Sequence, residues 1–176
     1  MRLLQVAQLG QPVLRAGITE VTDFTDPSLI PLIQDMMATV AYLNGVGIAA
    51  PQVFVSKAIL IIASKPSKRY PQAPALAPFE VINPRIIDQE EATETMYEGC
   101  LSVPSLRCEV PRLRSVTVAY QDRYGQACQA TWQGFIARIF QHEYDHLQGD
   151  LIVDRMTTSR TLLAESEYYR RLATAP

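Results

Sequence analysis

Histidine is nearly missing from this chain: there are two, His142 and His146, in 176 residues. That scarcity excludes a three-histidine metal centre built from one chain. Cysteine is sparse as well. Cys100, Cys108 and Cys128 are an odd number without a disulfide-type spacing, so reduced thiols in a cytosol-like compartment are expected. No apolar run approaches the roughly 20 residues that a membrane-spanning helix needs. Gln5, Gln8 and Gln11 interrupt any apolar core of a secretion signal, and none is expected. The net charge of −2 has the wrong sign for a broad nucleic-acid footprint. Neither an internal repeat nor a low-complexity tract is present.

What is there is an ordinary globular composition, 48% apolar and 19% charged. The length suits one domain, residues 1–176, with a substantial core. Residues 1–25 read as an irregular arm. Asp26-Pro27 has the signature of a helix start, with Asp as N-cap and Pro in the first turn. Leu29, Ile33, Met36, Met37, Val40 and Leu43 follow at helical spacing, and Asn44-Gly45 stops the helix. Residues 57–63 are a predicted buried strand, and 64–78, with four prolines, an exposed loop. Residues 79–83 read as a short strand ended by Pro84, and the acidic stretch 88–94 as a solvated hairpin region. Residues 114–121 and 126–132 alternate apolar and polar across a turn, a hairpin signal. Gly134 opens the next helix and Gly149 closes it. Residues 151–153 suggest a last short strand, and 161–173 a tail helix.

Both histidines fall in residues 141–147, Q-H-E-Y-D-H-L. Four apart on a helix, they share one face about one turn apart and can hold one metal ion. Glu143, beside the first, can reach a water on that metal as general base. This is the H-E-x-x-H pattern of metallohydrolases. The bland alternative is a surface helix that happens to spell these letters. Without a third histidine the remaining ligand must be Cys, Asp or Glu. A metzincin would need His at position 152, where this chain has Ile152. A zinc endopeptidase with a downstream glutamate would use Glu165 or Glu167, although both sit in a charged tail helix that suits a solvated face. Cys100 is the other candidate, because a thiolate is a strong ligand for a borderline metal. Chemistry ranks Cys100 moderately ahead of Glu165 and leaves both open. Cys108 and Cys128 read as small buried apolar residues.

Residues 45–52, G-V-G-I-A-A-P-Q, are mostly small, so another backbone or a ligand can approach closely. No Lys-Ser/Thr follows the glycines, which argues against a phosphate loop. A helix-to-strand turn packed under the core is the plain alternative. Together with residues 98–102, E-G-C-L-S, and the histidine stretch, these match in order the three signature motifs of peptide deformylases. The chain resembles that family, of bacterial and organellar type, over roughly residues 5–155. Weaker likeness lies at 10–15, 82–84 and 149–154.

The resemblance implies one metal ion held by Cys100, His142 and His146, with water in the fourth position. The ion would be Fe2+, with Zn2+, Ni2+ or Co2+ able to substitute. It implies hydrolysis of the formyl group from N-formylmethionyl nascent peptides, releasing formate. Metal-bound water attacks the formyl carbon, Glu143 acts as general base, and the Leu101 N–H and Gln52 amide stabilise the oxyanion. It implies strand-like pairing of substrate with the backbones of Val46 and Gly99, with Gly47 beside them. The methionine pocket would draw on Glu98, Phe135, Arg138, Ile139 and His142. Arg138 reads equally well as an ion-pair partner of Glu98. Arg107 and Arg112 either meet substrate backbone or flank a strand. Loop 64–78 is long for the family and would reshape the entrance.

The implied fold is α+β, with small antiparallel or mixed sheets around a central helix carrying H-E-x-x-H, an N-terminal helix and a C-terminal helix. The implied setting is a cytoplasmic monomer, organellar only if a transit peptide is removed, with no membrane and no specific DNA partner. Some family members dock a basic C-terminal helix on the ribosome. Residues 160–176 are only partly basic, so ribosome docking is a secondary expectation. A zinc endopeptidase and a metal-binding module without turnover are the competing readings. The second would be marked by loss of Glu143 or Gln52, and both are present.

Overall fold

The apolar stripe after Pro27 forms helix α1 (Leu29–Tyr42), which buries Leu29, Ile33, Met36 and Val40. The structure, a computed structural model, describes residues 1–67 and 70–174. Helix α1 starts later than Asp26-Pro27 suggests. The Asp26 carboxylate closes its own turn instead, accepting the Ser28 N–H at 2.8 Å and the Ser28 hydroxyl at 2.7 Å. Asn44 ends the helix with φ +53°, as expected of a residue that tolerates the left-handed region.

The strands are β1 (Gly47–Ala49), β2 (Ile59–Ile62), β3 (Phe79–Gln89), β4 (Thr93–Cys100), β5 (Val103–Leu113), β6 (Ser115–Gln121), β7 (Ala127–Gln133) and β8 (Leu163–Ala164). The remaining helices are α2 (Gly134–Gln148), α3 (Ile152–Arg155) and α4 (Glu165–Thr174). The strands make a five-stranded sheet, β1-β2-β3-β6-β7, and a three-stranded sheet, β4-β5-β8. All ladders are antiparallel, and the α+β class expected of the chain is the one found.

Strand β2 explains how the core is divided. Its side chains alternate, so Ile59 and Ile61 join α1 through Ile33, Met36 and Val40. Leu60 and Ile62 point the other way, into a cluster with Val81, Val116, Val118 and the α2 residues Ile136, Ala137, Phe140 and Leu147. The continuous apolar run I-L-I-I is thus a strand covered on both faces. A third cluster joins the N-terminal arm to the second sheet through Ala7, Leu14, Val103, Val110, Leu151 and Ile152.

Several local expectations change. Pro84 does not stop β3: Asn83 takes φ +49° and the register shifts between Ile82 and Arg85, so the proline falls on a bulge where no ladder N–H is required. The acidic stretch after β3 is exposed but is no hairpin, because β3 pairs with β6 and β4 with β5; the chain there crosses between sheets. Residues 151–153 make no strand. The Asp154 carboxylate accepts the Leu151 N–H at 2.7 Å and starts α3 instead. Helix α4 begins only at Glu165, since β8 first pairs with Leu106 and Arg107. The described residues of loop 64–78 form no regular element; residues 68 and 69 lie outside the described part, as do 175 and 176 of the tail. The loop is folded back rather than wholly exposed: Ser64 and Ala73 are buried, and Ser64 Oγ donates to the Pro74 carbonyl at 2.7 Å. No described helix is long and apolar enough to cross a membrane.

Candidate metal and active site

Helix α2 brings two imidazoles and the tight β4–β5 connection brings a thiol to one cleft of about 760 Å³. Cys100 Sγ lies 3.3 Å from His146 Nε2. The ligand atoms of Cys100, His142 and His146 all lie within 4.8 Å of one another, the one such group among the described residues. Glu165 and Glu167 are elsewhere: Glu165 accepts from Arg107 at 2.7 Å, and Glu167 pairs with Arg170 on the surface. The geometry therefore favours Cys100 as third donor. One thiolate and two imidazoles are a donor set that suits a transition metal and leaves a fourth position open.

Small residues bring the surrounding groups close. A Cβ on Gly47 would sit 2.5 Å from Glu143 Oε1, so only glycine lets that carboxylate lie under β1. Gly47 stands opposite Ile62, while the Val46 carbonyl already accepts the Ala63 N–H at 2.8 Å. This alternation turns the Gly47 N–H and C=O outward from β2, at the free edge of the sheet. Val46 and Gly47 both line the cleft at this edge. Gln52 belongs to a single 3-10 turn, Ala50–Val53. Its Oε1 accepts the Ala49 N–H at 2.8 Å, which aims the amide NH2 at Ser102 Oγ (3.1 Å) and Cys100 Sγ (3.6 Å).

A buried ion network ties the two halves together. The Glu98 carboxylate accepts from Arg112 Nε and Nη2, both at 3.0 Å, and from Arg138 Nη1 at 2.7 Å. It also meets His142 Nδ1 at 2.9 Å, which leaves Nε2 of that ring for the ligand cluster. Arg112 Nη1 reaches Asp145 at 2.5 Å, and Arg155 holds the same carboxylate at 2.9 Å. Burial alone would raise the Glu98 carboxyl, but the His142 bond and the Arg112 charge outweigh it and hold it far below the usual range. Glu143 differs. Burial pushes its carboxyl up to about 7, and its Oε2 has no hydrogen-bond partner among the described residues. A carboxyl near 7 can both take and return a proton around neutral pH. Burial also pushes the Cys108 thiol up to about 11, in keeping with an inert core residue.

Val46, Gly47, Glu98, Gly99, Leu101, Phe135, Arg138 and Ile139 all line the cleft, with Gln52, His142 and Glu143. Arg138 turns its guanidinium onto Glu98 and the carbonyls of Val110 and Glu94, so its stem is what remains for a pocket. Reasoning on sequence names Arg112 without finding its place between Glu98 and Asp145, and misses Asp145 and Tyr70. Arg112 and Asp145 carry a faint signal: buried motif carboxylates need a cation between them.

Residues 3–161 match the family model described as Polypeptide deformylase. Peptide deformylase 2 of a Nostoc species is 46% identical over 166 residues, covering 94% of this chain and 93% of that protein. Among solved structures, a Met-Ala-Ser-bound class I type b peptide deformylase from Acinetobacter baumannii is 42% identical with a TM-score of 0.83. It covers 88% of this chain and 98% of that one. A peptide deformylase from Thermotoga maritima is 36% identical with a TM-score of 0.80, covering 90% of this chain and 100% of that one.

Proposed function

The chain belongs to the polypeptide deformylase family, and on that footing we propose that its cleft removes the formyl group from N-formylmethionyl nascent peptides, releasing formate and a free amine. The observation that carries this reading is the convergence of Cys100, His142 and His146 beside a buried Glu143 with one unpartnered oxygen. A metal ion held by those three side chains would lower the pKa of a coordinated water and polarise the formyl carbonyl. Fe2+ is the ion the family resemblance implies, and the donor set also admits Zn2+, Ni2+ and Co2+.

The residues of the chain do the rest. Glu143 Oε2 takes the proton of the attacking water. Its raised carboxyl then returns that proton to the departing nitrogen. The Gln52 amide, already aimed beside Cys100, and the Leu101 N–H on the following turn donate to the oxyanion as it develops. Glu98 keeps the His142 ring from rotating. The peptide backbone lies along the free edge of β1 at Gly47, facing Gly99. The methionine side chain enters between Phe135, Ile139 and His142, with the stem of Arg138 beneath.

The test is formate release from formyl-Met-Ala-Ser by anaerobically purified, iron-loaded protein. Wild type is expected to release formate. Glu143→Gln should keep its metal and lose about 10²- to 10⁴-fold in rate. Cys100→Ser should lose the metal. Internal peptide-bond cleavage that survives Cys100→Ser would overturn the reading in favour of an endopeptidase.

A further inference from the structure

Arg107 is a cation with almost no access to water: its side chain is 3% exposed. Two segments far apart in sequence, the proline-rich loop and α4, converge on it. Nη2 donates to Glu165, the first residue of α4, at 2.7 Å. Nη1 donates to the Tyr70 hydroxyl, on the proline-rich loop, at 3.0 Å. The Tyr168 ring lies beneath, 5.4 Å from Cζ. Nε is buried and has no partner among the described residues. A guanidinium this buried is stable only when paired, and Glu165 supplies the one carboxylate in contact with it among the described residues.

Arg107 is also part of the cleft wall. Strand β5 is irregular opposite Gly99, where the register jumps from Glu98–Cys108 to Cys100–Val103. That bulge lays the guanidinium over the Gly99 backbone, so closely that a Cβ on Gly99 would come within 2.6 Å of Cζ. Tyr70 extends the same wall: its ring packs on Phe135 with centroids 4.8 Å apart. Tyr70, Arg107, Glu165 and Phe135 all face the cleft.

We propose that Glu165 is a positioning residue for the peptide: by holding Arg107 against Gly99, together with Tyr70, it sets the wall that receives the residues following methionine. The C-terminal helix is therefore a working part of the substrate cleft, acting on peptide affinity and not on the chemical step. This rests on the deformylase reading above. Glu165 touches neither the ligand cluster nor Glu143, so its loss leaves the reacting groups in place.

The test uses full-length, iron-loaded protein and two substrates, formyl-Met-Ala-Ser and formyl-Met amide, which ends at the methionine. Glu165→Ala should raise KM for the tripeptide about tenfold with kcat held within about twofold, while KM for formyl-Met amide moves by less than about twofold. Glu165→Asp should recover most of the loss. Tyr70→Phe, which removes one of the two hydrogen bonds to Arg107, should raise the tripeptide KM by about two- to threefold. An equal rise on both substrates, an unchanged tripeptide KM, or a fall in kcat alone would overturn the proposal. Absence of formate from either substrate with wild-type enzyme would instead overturn the deformylase reading beneath it, so the two failures are told apart.

Discussion

Helix α2 and the β4–β5 hairpin meet at the three candidate ligands, and different forces hold them there. The helix carries His142, Glu143 and His146, and is pressed into the five-stranded sheet by Ile136, Ala137, Phe140 and Leu147. The hairpin carries Cys100 and is bound to the helix by charge, through Glu98, Arg112, Arg138 and Asp145. Apolar packing is non-directional and tolerates small trimming. A buried ion network is directional and fails when one partner goes, because the others stay buried and unpaired. The distance between thiol and imidazoles is thus set by the less forgiving of the two.

Breaking that network should give the largest effect. Arg112→Leu leaves Glu98 and Asp145 without the cation they share. It is expected to cost about 3–5 kcal/mol in urea unfolding and roughly 10- to 100-fold in metal affinity by equilibrium dialysis. The matched change on the helix side, Ile136→Val, should cost about 0.5–1.5 kcal/mol and leave metal affinity alone. If both variants lose metal equally, the contrast between the halves is wrong.

Acid sharpens the same contrast. The folded Glu98 carboxyl lies well below its ordinary 4.5, so its native state binds fewer protons than the unfolded chain. Its stabilisation is therefore full above about pH 4.5 and is lost as pH falls, at up to about 1.4 kcal/mol per pH unit for one group. Wild type should lose stability between pH 4.5 and 3 more steeply than Glu98→Gln. Ile136→Val should keep the wild-type slope. Parallel curves for wild type and Glu98→Gln would remove Glu98 from the account.

The two halves also differ in how far the sequence discloses them. A helix fixes its own spacing, so His142, Glu143 and His146 can be placed on one face, and Leu29 to Val40 on another, without knowing the rest of the chain. Nothing local marks β4 as a strand. Its first four residues are exposed and its burial does not alternate, and its partner β5 contains a bulge and two prolines. Cys100 is therefore identified by the letters E-G-C-L-S and their family likeness, with no help from periodicity. Arg112 and Asp145 become functional only through contacts that no spacing rule predicts. Pro84 and residues 151–153 mislead for a related reason: a bulge at Asn83 and the Asp154 carboxylate, each tied to distant residues, override the local preference.

Helix α4 allows the finest version of the comparison, since Glu165 and Glu167 look alike in sequence and differ only in what they touch. Glu165 meets a cation that is 3% exposed, whereas Glu167 meets Arg170, which is 72% exposed. An exposed pair three residues apart on a helix contributes little, because water screens it and two flexible side chains must be ordered to form it. Glu167→Ala should therefore shift urea stability by no more than about 0.5 kcal/mol and leave the KM of formyl-Met-Ala-Ser unchanged. A Glu167→Ala variant with the raised KM expected of Glu165→Ala would show that the net charge of α4 acts on the substrate, and that the contact with Arg107 does not.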